Sequence, residues 1–441
     1  MLSILDFGAI PDGKTLCRAA FQAAVDACAE AGGGTVLVPA GTYLLGTVCL
    51  HSGVHIRFED GTKILGSADF EGDYLPREPF VGGKYQDDSH SFFDHSLFVA
   101  KECHDIGFSG HATIDMQGIF NDTDHGQYYR TVKVITLVSC SDVLLSDMTI
   151  LNATDLAIWL YDCEHVRIHG LSLDVLVDGI TPDGCRDVVI SDCTVKADDD
   201  AIVLKTSFPL GRFVHSENIA IRNCTVSSNA SAIKIGTETN GDFSSISITG
   251  CVLKDTRRAG IAIESADGAN IRGVVISNIT MYRVGTPLYI RLCARMRAPE
   301  GTPVGSMRDI TLSSIFADYD GTPYKTHYIY LPGQQNIGPW DKPFPYTSMI
   351  MGIPEHPIEN LSIRDVKITM PGGIPAEKAL PLPLPEKENG YPDSNMFGWE
   401  KHLPAACLIM RHVRGYRERN LVLKTHSPDG RPISFTEDVE A

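Results

Sequence analysis

Residues 163–173, CEHVRIHGLSL, are the stretch of this sequence that decides the fold. Apolar and polar residues alternate in it twice, at Val166 and Ile168 and again at Leu171 and Leu173, with a short polar turn between the two runs. Successive side chains of a strand point to opposite faces, so alternation of this kind is typical of short strands. The stretch therefore predicts two strands joined by a tight turn.

The same pattern recurs along the chain. It occurs at residues 140–150 (CSDVLLSDMTI) and 185–195 (CRDVVISDCTV), at steps of 23 and 22 residues from the first stretch. Weaker copies begin near residues 218, 245, 271, 308 and 359. A recurring period of this length indicates a solenoid whose repeats pack against their neighbours.

The content of each repeat decides which solenoid is expected. Turn residues every few positions leave no room for crossover helices, and the LxxLxL pattern of leucine-rich repeats is absent from the sequence. We therefore predict an all-β fold, a right-handed parallel β-helix, with the hand taken from the rule for parallel strand crossovers. Inward positions of successive coils should then form columns, such as Cys140, Cys163 and Cys185.

The start of the chain departs from the repeat. Unpaired backbone groups at the end of a solenoid must be covered. Phe21, Val25 and Cys28 recur at helical spacing, and the glycines at 32–34 end the run. We expect these residues to form an N-terminal capping helix within a cap of about residues 1–45.

One domain is predicted for residues 1–441. A stretch rich in proline, glutamate and glycine at about 371–400 predicts a loop insertion, after which apolar alternation resumes in a C-terminal coil at 401–441. Further insertions are predicted at about 70–95, 115–130, 207–216 and 328–350.

Composition limits the partners and cofactors. The 441 residues include 38 Lys and Arg against 55 Asp and Glu, a net charge of −17. Nucleic acid and anionic membranes both need a basic surface, so neither is expected as a partner. No secretory signal or membrane helix is visible in the sequence, so we expect a cytoplasmic protein. The 12 cysteines form no CxxC or His/Cys cluster, so we expect reduced thiols, no metal site and no cofactor.

Two acidic stretches one repeat apart are the strongest functional signal. Asp178 lies in VDGITPDG at 177–184, and Asp199 and Asp200 lie in ADDDAIVLK at 197–205. Because adjacent coils are roughly 4.8 Å apart, a separation close to one repeat would bring these carboxylates together. Paired carboxylates can serve as general acid and base in glycoside hydrolysis, but a solvated Asp-rich turn and a Ca²⁺ site fit the same spacing.

Several motifs resemble those of glycoside hydrolase family 28, the polygalacturonases, in a divergent bacterial form. Besides the aspartate stretches, they are LDFGAIPDGKT at 5–15, GGTVLVPAGTY at 33–43, GIPEHPI at 352–358, RHV at 411–413 and DVE at 438–440. The resemblance runs over nearly the whole chain. It implies an inverting glycosidase in which Asp199 is the general acid, and Asp178 and Asp200 position the attacking water. Inverting enzymes hold their carboxyl groups roughly 6.5–9.5 Å apart.

Three residues leave the pattern of that family. Ser231 stands where the family has the histidine of a Gly-His-Gly segment. Ala262 and Glu264 replace the cations of an Arg-Ile-Lys motif that binds the galacturonate carboxylate. Galacturonate would therefore meet a carboxylate instead of a cationic clamp. We expect a reacting sugar that is neutral or differently decorated.

Strand alternation selects further residues for the substrate cleft. If the isoleucines of these strands face the core, Lys205, Lys234 and Glu264 face outward near Ser231, and all four are candidates for sugar binding. A mutual ion pair of Lys234 and Glu264 at the surface fits equally well. Arg291 belongs to a set of arginines that suits either an acidic sugar at a distant subsite or a solvated face. The other members are Arg257, Arg258, Arg295 and Arg297.

The sequence thus predicts an enzyme whose partner is an oligosaccharide, without indicating an oligomeric state. Our first expectation is an exo-acting hydrolase of pectic or related plant cell-wall oligosaccharides, with insertions near 70–95 and 328–350 closing one end of the groove. A β-helix lyase or epimerase acting on uronates is a second expectation. A carbohydrate-binding solenoid without catalysis is a third, because Ser231, Ala262 and Glu264 depart from the family pattern.

Overall fold

The structure is a computed structural model that describes residues 1–81, 88–119, 132–323, 347–380, 384–397 and 402–441. The chain forms two compact units. The first contains Met1–Ala197 and Ser207–Ile219, and the second contains Asp198–Thr206 and Ala220–Ala441. The single domain expected for residues 1–441 stays a prediction.

In its described residues, the first unit consists of short strands, one α-helix and two 3₁₀ turns. The helix is Arg18–Glu30, and the 3₁₀ turns are Ile4–Phe7 and Asp88–His90. The strands are Leu2–Ser3, Asp12–Leu16, Gly34–Val38, Gly41–Leu45, Val48–Cys49, Val54–Phe58, Thr62–Gly66, Ser96–Lys101, His104–Ser109, Thr113–Asp115, Lys133–Val138, Ser141–Ser146, Thr149–Leu151, Ile158–Tyr161, Glu164–His169, Ser172–Val175, Ile180–Asp183, Arg186–Ser191 and Thr194–Ala197.

The described part of the second unit has longer strands and one 3₁₀ turn, Ala376–Lys378. Its strands are Ile202–Thr206, Thr225–Ser228, Ile233–Thr239, Phe243–Thr249, Val252–Ser265, Asn270–Leu292, Ser306–Asp318, Ser348–Met351, Ile358–Met370, Leu408–Arg414, Arg417–Thr425 and Ser434–Val439. The strand Ser216–Arg222 crosses the boundary between the two units.

Parallel pairing between successive repeats confirms the coil predicted from the sequence. In the first unit, strand Glu164–His169 pairs in parallel with Ser141–Ser146 on one side and Arg186–Ser191 on the other. The register aligns Val166 with Val143 and Val188, and all three are buried. Equivalent positions of the repeat therefore stack on one another, while the right hand of the coil stays a prediction.

Left-handed backbone explains the composition of the turns. His165 and Gly170 have φ of 54° and 66°, and the preceding repeat has φ of 54° and 64° at Asp142 and Asp147. Glycine, asparagine and aspartate tolerate this region best, which accounts for the small polar residues that recur in each copy.

A column of cysteines runs through the first unit, as predicted. The thiols of Cys140, Cys163 and Cys185 lie 3.6, 3.4 and 3.1 Å from backbone carbonyl oxygens of the preceding coil. Cys103 extends the column by one coil, with its thiol 3.6 Å from the Leu50 carbonyl. All 12 cysteines of the chain are free thiols.

The predicted helix is present and packs on the first strands. Its apolar face buries Phe21, Val25 and Cys28. The Gln22 side chain donates to the Cys49 carbonyl at 2.9 Å and accepts from the Cys49 amide at 2.8 Å, which satisfies the backbone of a two-residue strand. The role of this helix as a cap stays a prediction. Within the described ranges, no helix has the length and apolar character that crossing a membrane requires.

One outward face of the second unit is organised into two columns. The register aligns Val203, Lys234, Ala262, Tyr289, Met349 and Ile409 in the first column. It aligns Glu264, Arg291, Met351, Arg411 and Glu437 in the second. The isoleucines that flank Lys234 and Ala262 are buried, and Lys234, Ala262 and Glu264 are buried as well, so the inward and outward alternation of these strands stays a prediction.

A segment of the predicted loop insertion covers this face. Leu384 and Phe397, at the two ends of segment 384–397, pack in one apolar cluster with Ala262, Tyr289 and Met349. These strand side chains are therefore buried by the segment that covers them. The described part of the insertion contains the 3₁₀ turn Ala376–Lys378 and a single bridge from Ala379 to His402, which agrees with the prediction of a loop.

Candidate active site

Asp200 is the best-supported member of the predicted aspartate set. Its carboxylate accepts a hydrogen bond from the Ser231 amide at 3.0 Å and lies 3.0 Å from the Lys234 ammonium. Only 5% of Asp200 is exposed. Ser231, which stands in place of the family's histidine, therefore supports the aspartate through its backbone.

Asp199 is held by its backbone, and its side chain is half-buried. Its carbonyl accepts a hydrogen bond from the Ser228 hydroxyl at 2.5 Å. The neighbouring Asp198 accepts a hydrogen bond from the Asn229 side chain at 2.7 Å. Each aspartate of the run at 198–200 thus has its own anchor in the second unit.

Asp178 belongs to the first unit. It is buried, and its carbonyl accepts a hydrogen bond from the Ala157 amide at 3.0 Å, just before strand Ile180–Asp183 begins. Its grouping with Asp199 and Asp200, and the carboxyl separation of an inverting enzyme, stay predictions.

Lys234 is surrounded by carboxylates. Its ammonium lies 3.0 Å from Asp200, 2.9 Å from Asp393 and 3.8 Å from Glu264. Burial by itself would lower the pKa of Lys234, but these carboxylates outweigh burial and hold the pKa well above its ordinary value. Lys234 therefore stays charged, with its donors turned toward acidic groups.

Glu264 is buried next to that ammonium. Burial raises the pKa of Glu264 well above its ordinary value, and the attraction of Lys234 does not offset this. The sequence also suggested a surface ion pair of Lys234 and Glu264. The two groups are 3.8 Å apart, as such a pair requires, but both are buried.

Asp393 completes the cluster and was missed by sequence reasoning. One of its oxygens accepts from Lys234 at 2.9 Å, and the other accepts from Arg258 at 2.6 Å. Burial would raise the pKa of Asp393, but the two cations hold it far below the usual range. Asp393 is 159 residues from Lys234 and lies in an aperiodic loop. The available signal was indirect, since a buried lysine and arginine on one face require acidic partners.

Lys205 is buried in an ion pair with Glu238, at 3.1 Å. Arg291 donates to the carbonyl of Gly352 at 3.2 Å and to those of Glu386 and Lys387 at 2.8 and 3.2 Å. These bonds favour a role for Arg291 in anchoring the covering segment. Sugar binding by Lys205 and Arg291 stays a prediction.

The motif at 411–413 also anchors the covering segment. Arg411 and His412 both bond the carboxylate of Glu386, and the distance from His412 is 3.2 Å. The other ring nitrogen of His412 lies 2.6 Å from Asp438, which belongs to the last strand. The motifs at 411–413 and 438–440 therefore act together, although the sequence did not indicate what they hold.

The insertions expected to close one end of the groove lie partly outside the described residues. Of 328–350 only 347–350 is described, and of 115–130 only 115–119. Segment 82–87, within the insertion at 70–95, also lies outside the description.

Comparison with known proteins identifies a family and several relatives. The sequence model of glycosyl hydrolases family 28 matches residues 28–339. A probable polygalacturonase of Vitis vinifera is 26% identical over 297 residues, which are 63% of this chain and 60% of that protein. The chain thus matches less than two thirds of the length of this relative.

Solved structures with the same fold include two bacterial enzymes. An exopolygalacturonase from Thermotoga maritima is 21% identical with a TM-score of 0.67, covering 83% of this chain and 86% of that one. A family 28 exopolygalacturonase from Yersinia enterocolitica is 18% identical with a TM-score of 0.68, covering 99% and 78%. At these identities the likeness shows a shared fold.

Proposed function

This chain belongs to glycosyl hydrolases family 28, and we propose that it hydrolyses glycosidic bonds of pectic or related oligosaccharides. The observation that carries the proposal is the contrast within one pair of neighbours. Asp200 is buried and held by a cation and an amide, whereas the side chain of Asp199 is half-buried. An acid and a base need different surroundings of this kind to take opposite roles at one pH.

The proposed roles follow the chemistry of inversion. Asp199 protonates the glycosidic oxygen as the bond to the anomeric carbon breaks. Asp200, with Asp178 as a proposed partner, orients a water molecule and takes its proton as the water oxygen bonds that carbon from the opposite face. Asp200 then releases its proton to solvent and Asp199 regains one from solvent, and the product has the opposite anomeric configuration.

The reacting sugar is proposed to be neutral or differently decorated. Ala262 offers no charge, and the cation nearest to Glu264, Lys234, is already surrounded by carboxylates. Burial raises the pKa of Glu264 and so favours its protonated form, and a protonated carboxyl can donate a hydrogen bond to a sugar hydroxyl. This arrangement favours hydroxyl groups over a sugar carboxylate.

Exo action is a finer proposal, motivated by the long insertions near 70–95 and 328–350 and by the names of the two bacterial relatives. Polymer viscosity during digestion tests it. We expect monosaccharide to appear while viscosity is retained, whereas an early collapse of viscosity would contradict exo action.

The hydrolase proposal is tested by a screen on pectic and hemicellulosic oligosaccharides, with NMR detection of the first product anomer. We expect the inverted anomer from one substrate class, and we expect Asp199→Asn to lower turnover by about 10²–10⁴-fold. Asp198→Asn is the matched control, because it makes the same chemical change one residue away and should retain most of the activity.

Two outcomes would reject the hydrolase. Products that absorb in the ultraviolet, with activity that follows added Ca²⁺, would indicate a lyase. Oligosaccharide binding that is unchanged in Asp199→Asn, without turnover in the parent protein, would indicate a binding solenoid.

A further inference from the structure

Asp393 forms a two-pronged contact with two cations of the second unit. Its Oδ1 lies 2.9 Å from Lys234 and its Oδ2 lies 2.6 Å from Arg258. A carboxylate with one cation on each oxygen has the arrangement by which proteins bind carboxylate ligands tightly. Here the carboxylate is supplied by the chain itself, and only 5% of Asp393 is exposed.

This cation pair adjoins the proposed catalytic aspartates. Lys234 contacts Asp200 at 3.0 Å with the same ammonium that contacts Asp393. Arg258 is close enough to Asp393, Asp199 and Asp200 that these charges raise its pKa against the effect of burial. Asp393 therefore stands one side chain away from the aspartates that we assign to bond cleavage.

Separate contacts hold the segment that carries Asp393. The Tyr289 hydroxyl donates a hydrogen bond to the carbonyl of Pro392, the residue before Asp393. Arg291 binds the carbonyls of Glu386 and Lys387, and Phe397 lies in the apolar cluster. The position of Asp393 is thus set by the backbone around it as well as by its own charge.

The charges of this cluster are already balanced by the chain. Asp200 and Asp393 share the charge of Lys234, and Arg258 serves Asp393. The carboxylate of an acidic sugar at this point would add a buried negative charge beside Lys234 and Arg258, which already have carboxylate partners, and this is strongly unfavourable. A sugar that presents only hydroxyl groups carries no such penalty.

We propose that Asp393 determines specificity by occupying, from within the chain, the Lys234 and Arg258 pair that would otherwise bind the carboxylate of a uronic acid. The site then accepts sugars without a carboxylate, and removing the Asp393 carboxylate opens it to uronates. This inference rests on the proposed function for the location of the sugar, but its test does not depend on turnover.

The test compares D-galacturonate with D-galactose, which differ only in the carboxylate at C6. Binding of both is measured by NMR titration or calorimetry in the otherwise unchanged parent protein, because neither monosaccharide has a glycosidic bond to hydrolyse. We expect Asp393→Ala to tighten galacturonate binding by about tenfold or more, because two cations are freed, and to change galactose binding by less than about twofold.

Asp393→Asn provides a second variant that keeps the size of the side chain if the alanine variant does not fold. We expect it to shift the preference in the same direction by a smaller factor. Glu386→Gln is the matched control, because it removes a carboxylate from the same segment at Arg411 and His412, and it should leave the preference unchanged.

An equal effect of Asp393→Ala on both sugars, or the same shift in Glu386→Gln, would overturn the inference and leave Asp393 as a structural anchor. Failure of the proposed function looks different. In that case the oligosaccharide screen gives no turnover in the parent protein, while the galacturonate and galactose titrations still report on Asp393.

Discussion

Strand Glu164–His169 of the first unit and strand Ile233–Thr239 of the second unit both belong to stacks of parallel strands, but their outward side chains have different surroundings. In the first, inward residues such as Val166 are buried and outward residues such as Arg167 are exposed. In the second, every position is buried, including the charged Lys234 and Glu238. Where outward residues meet water, almost any polar side chain suffices. Where a segment covers them, each charge needs a partner, and the chain assembles a site.

Removing the outward cation of each strand should give the largest difference in the free energy of unfolding. Lys234→Met leaves Asp200 and Asp393 without their shared cation and should lower the free energy of unfolding by about 3–5 kcal/mol. Arg167→Met, on the exposed face, should change it by less than about 0.5 kcal/mol. Denaturant unfolding of both variants measures this contrast, and similar small losses would show that the buried cluster is not strongly coupled.

Replacing Glu264 should have a smaller effect on stability, and this effect should depend on pH. Its pKa is raised in the folded protein, so above the pKa of the unfolded chain the folded state must retain a proton that the unfolded state has released. Stability is therefore lost as pH rises from about 4.3 toward the raised pKa. Glu264→Gln removes this loss and should be more stable than the parent at pH 7 by at least about 1 kcal/mol, with little difference at pH 4.

Thermal or denaturant unfolding across pH 4–7 measures that difference. The pKa of Asp393 is depressed, so its contribution to stability is lost only as pH falls below the unfolded value of about 3.9, outside this range. A constant difference between parent and variant over the whole range would contradict a protonated Glu264.

The hydrogen bond that attaches the covering segment at Tyr289 should contribute less to stability than the buried charges. Tyr289→Phe removes the hydroxyl that donates to the Pro392 carbonyl and should cost about 1 kcal/mol. We expect faster amide hydrogen exchange in residues 384–397 and unchanged exchange in strand Glu164–His169. Unchanged exchange in residues 384–397 would show that the apolar cluster alone holds the segment.

The smallest change in stability is expected in strand Glu164–His169, where a glycine substitution should stabilise or destabilise according to the backbone conformation of the residue replaced. His165 has φ of 54°, so His165→Gly should stabilise the protein by up to about 0.5–1 kcal/mol. His169, also on the outward face but with ordinary strand backbone, serves as the control, and His169→Gly should destabilise by a similar amount. Equal losses in both variants would mean that the His165 side chain outweighs its backbone strain.

The parts of this molecule that could be predicted from sequence are those that repeat. Alternation around Val166, with steps near the length of one coil, predicted the parallel strands, and the same alternation placed Lys234 and Glu264 together on an outward face. Asp393 could not be predicted, because no period connects an aperiodic loop to a strand 159 residues away. Its position depends on contacts such as those of Tyr289 and Arg291, which are specific to the folded surface and leave no pattern in the sequence.

The proposed catalytic aspartates and the proposed specificity residue lie in different parts of the chain, and this has a consequence for how the protein can change. The aspartates assigned to bond cleavage are carried by the repeats, whereas the residue assigned to sugar choice is carried by the segment at 384–397. Changes confined to that short peptide are then a route to a new substrate range, with the proposed bond-breaking residues untouched.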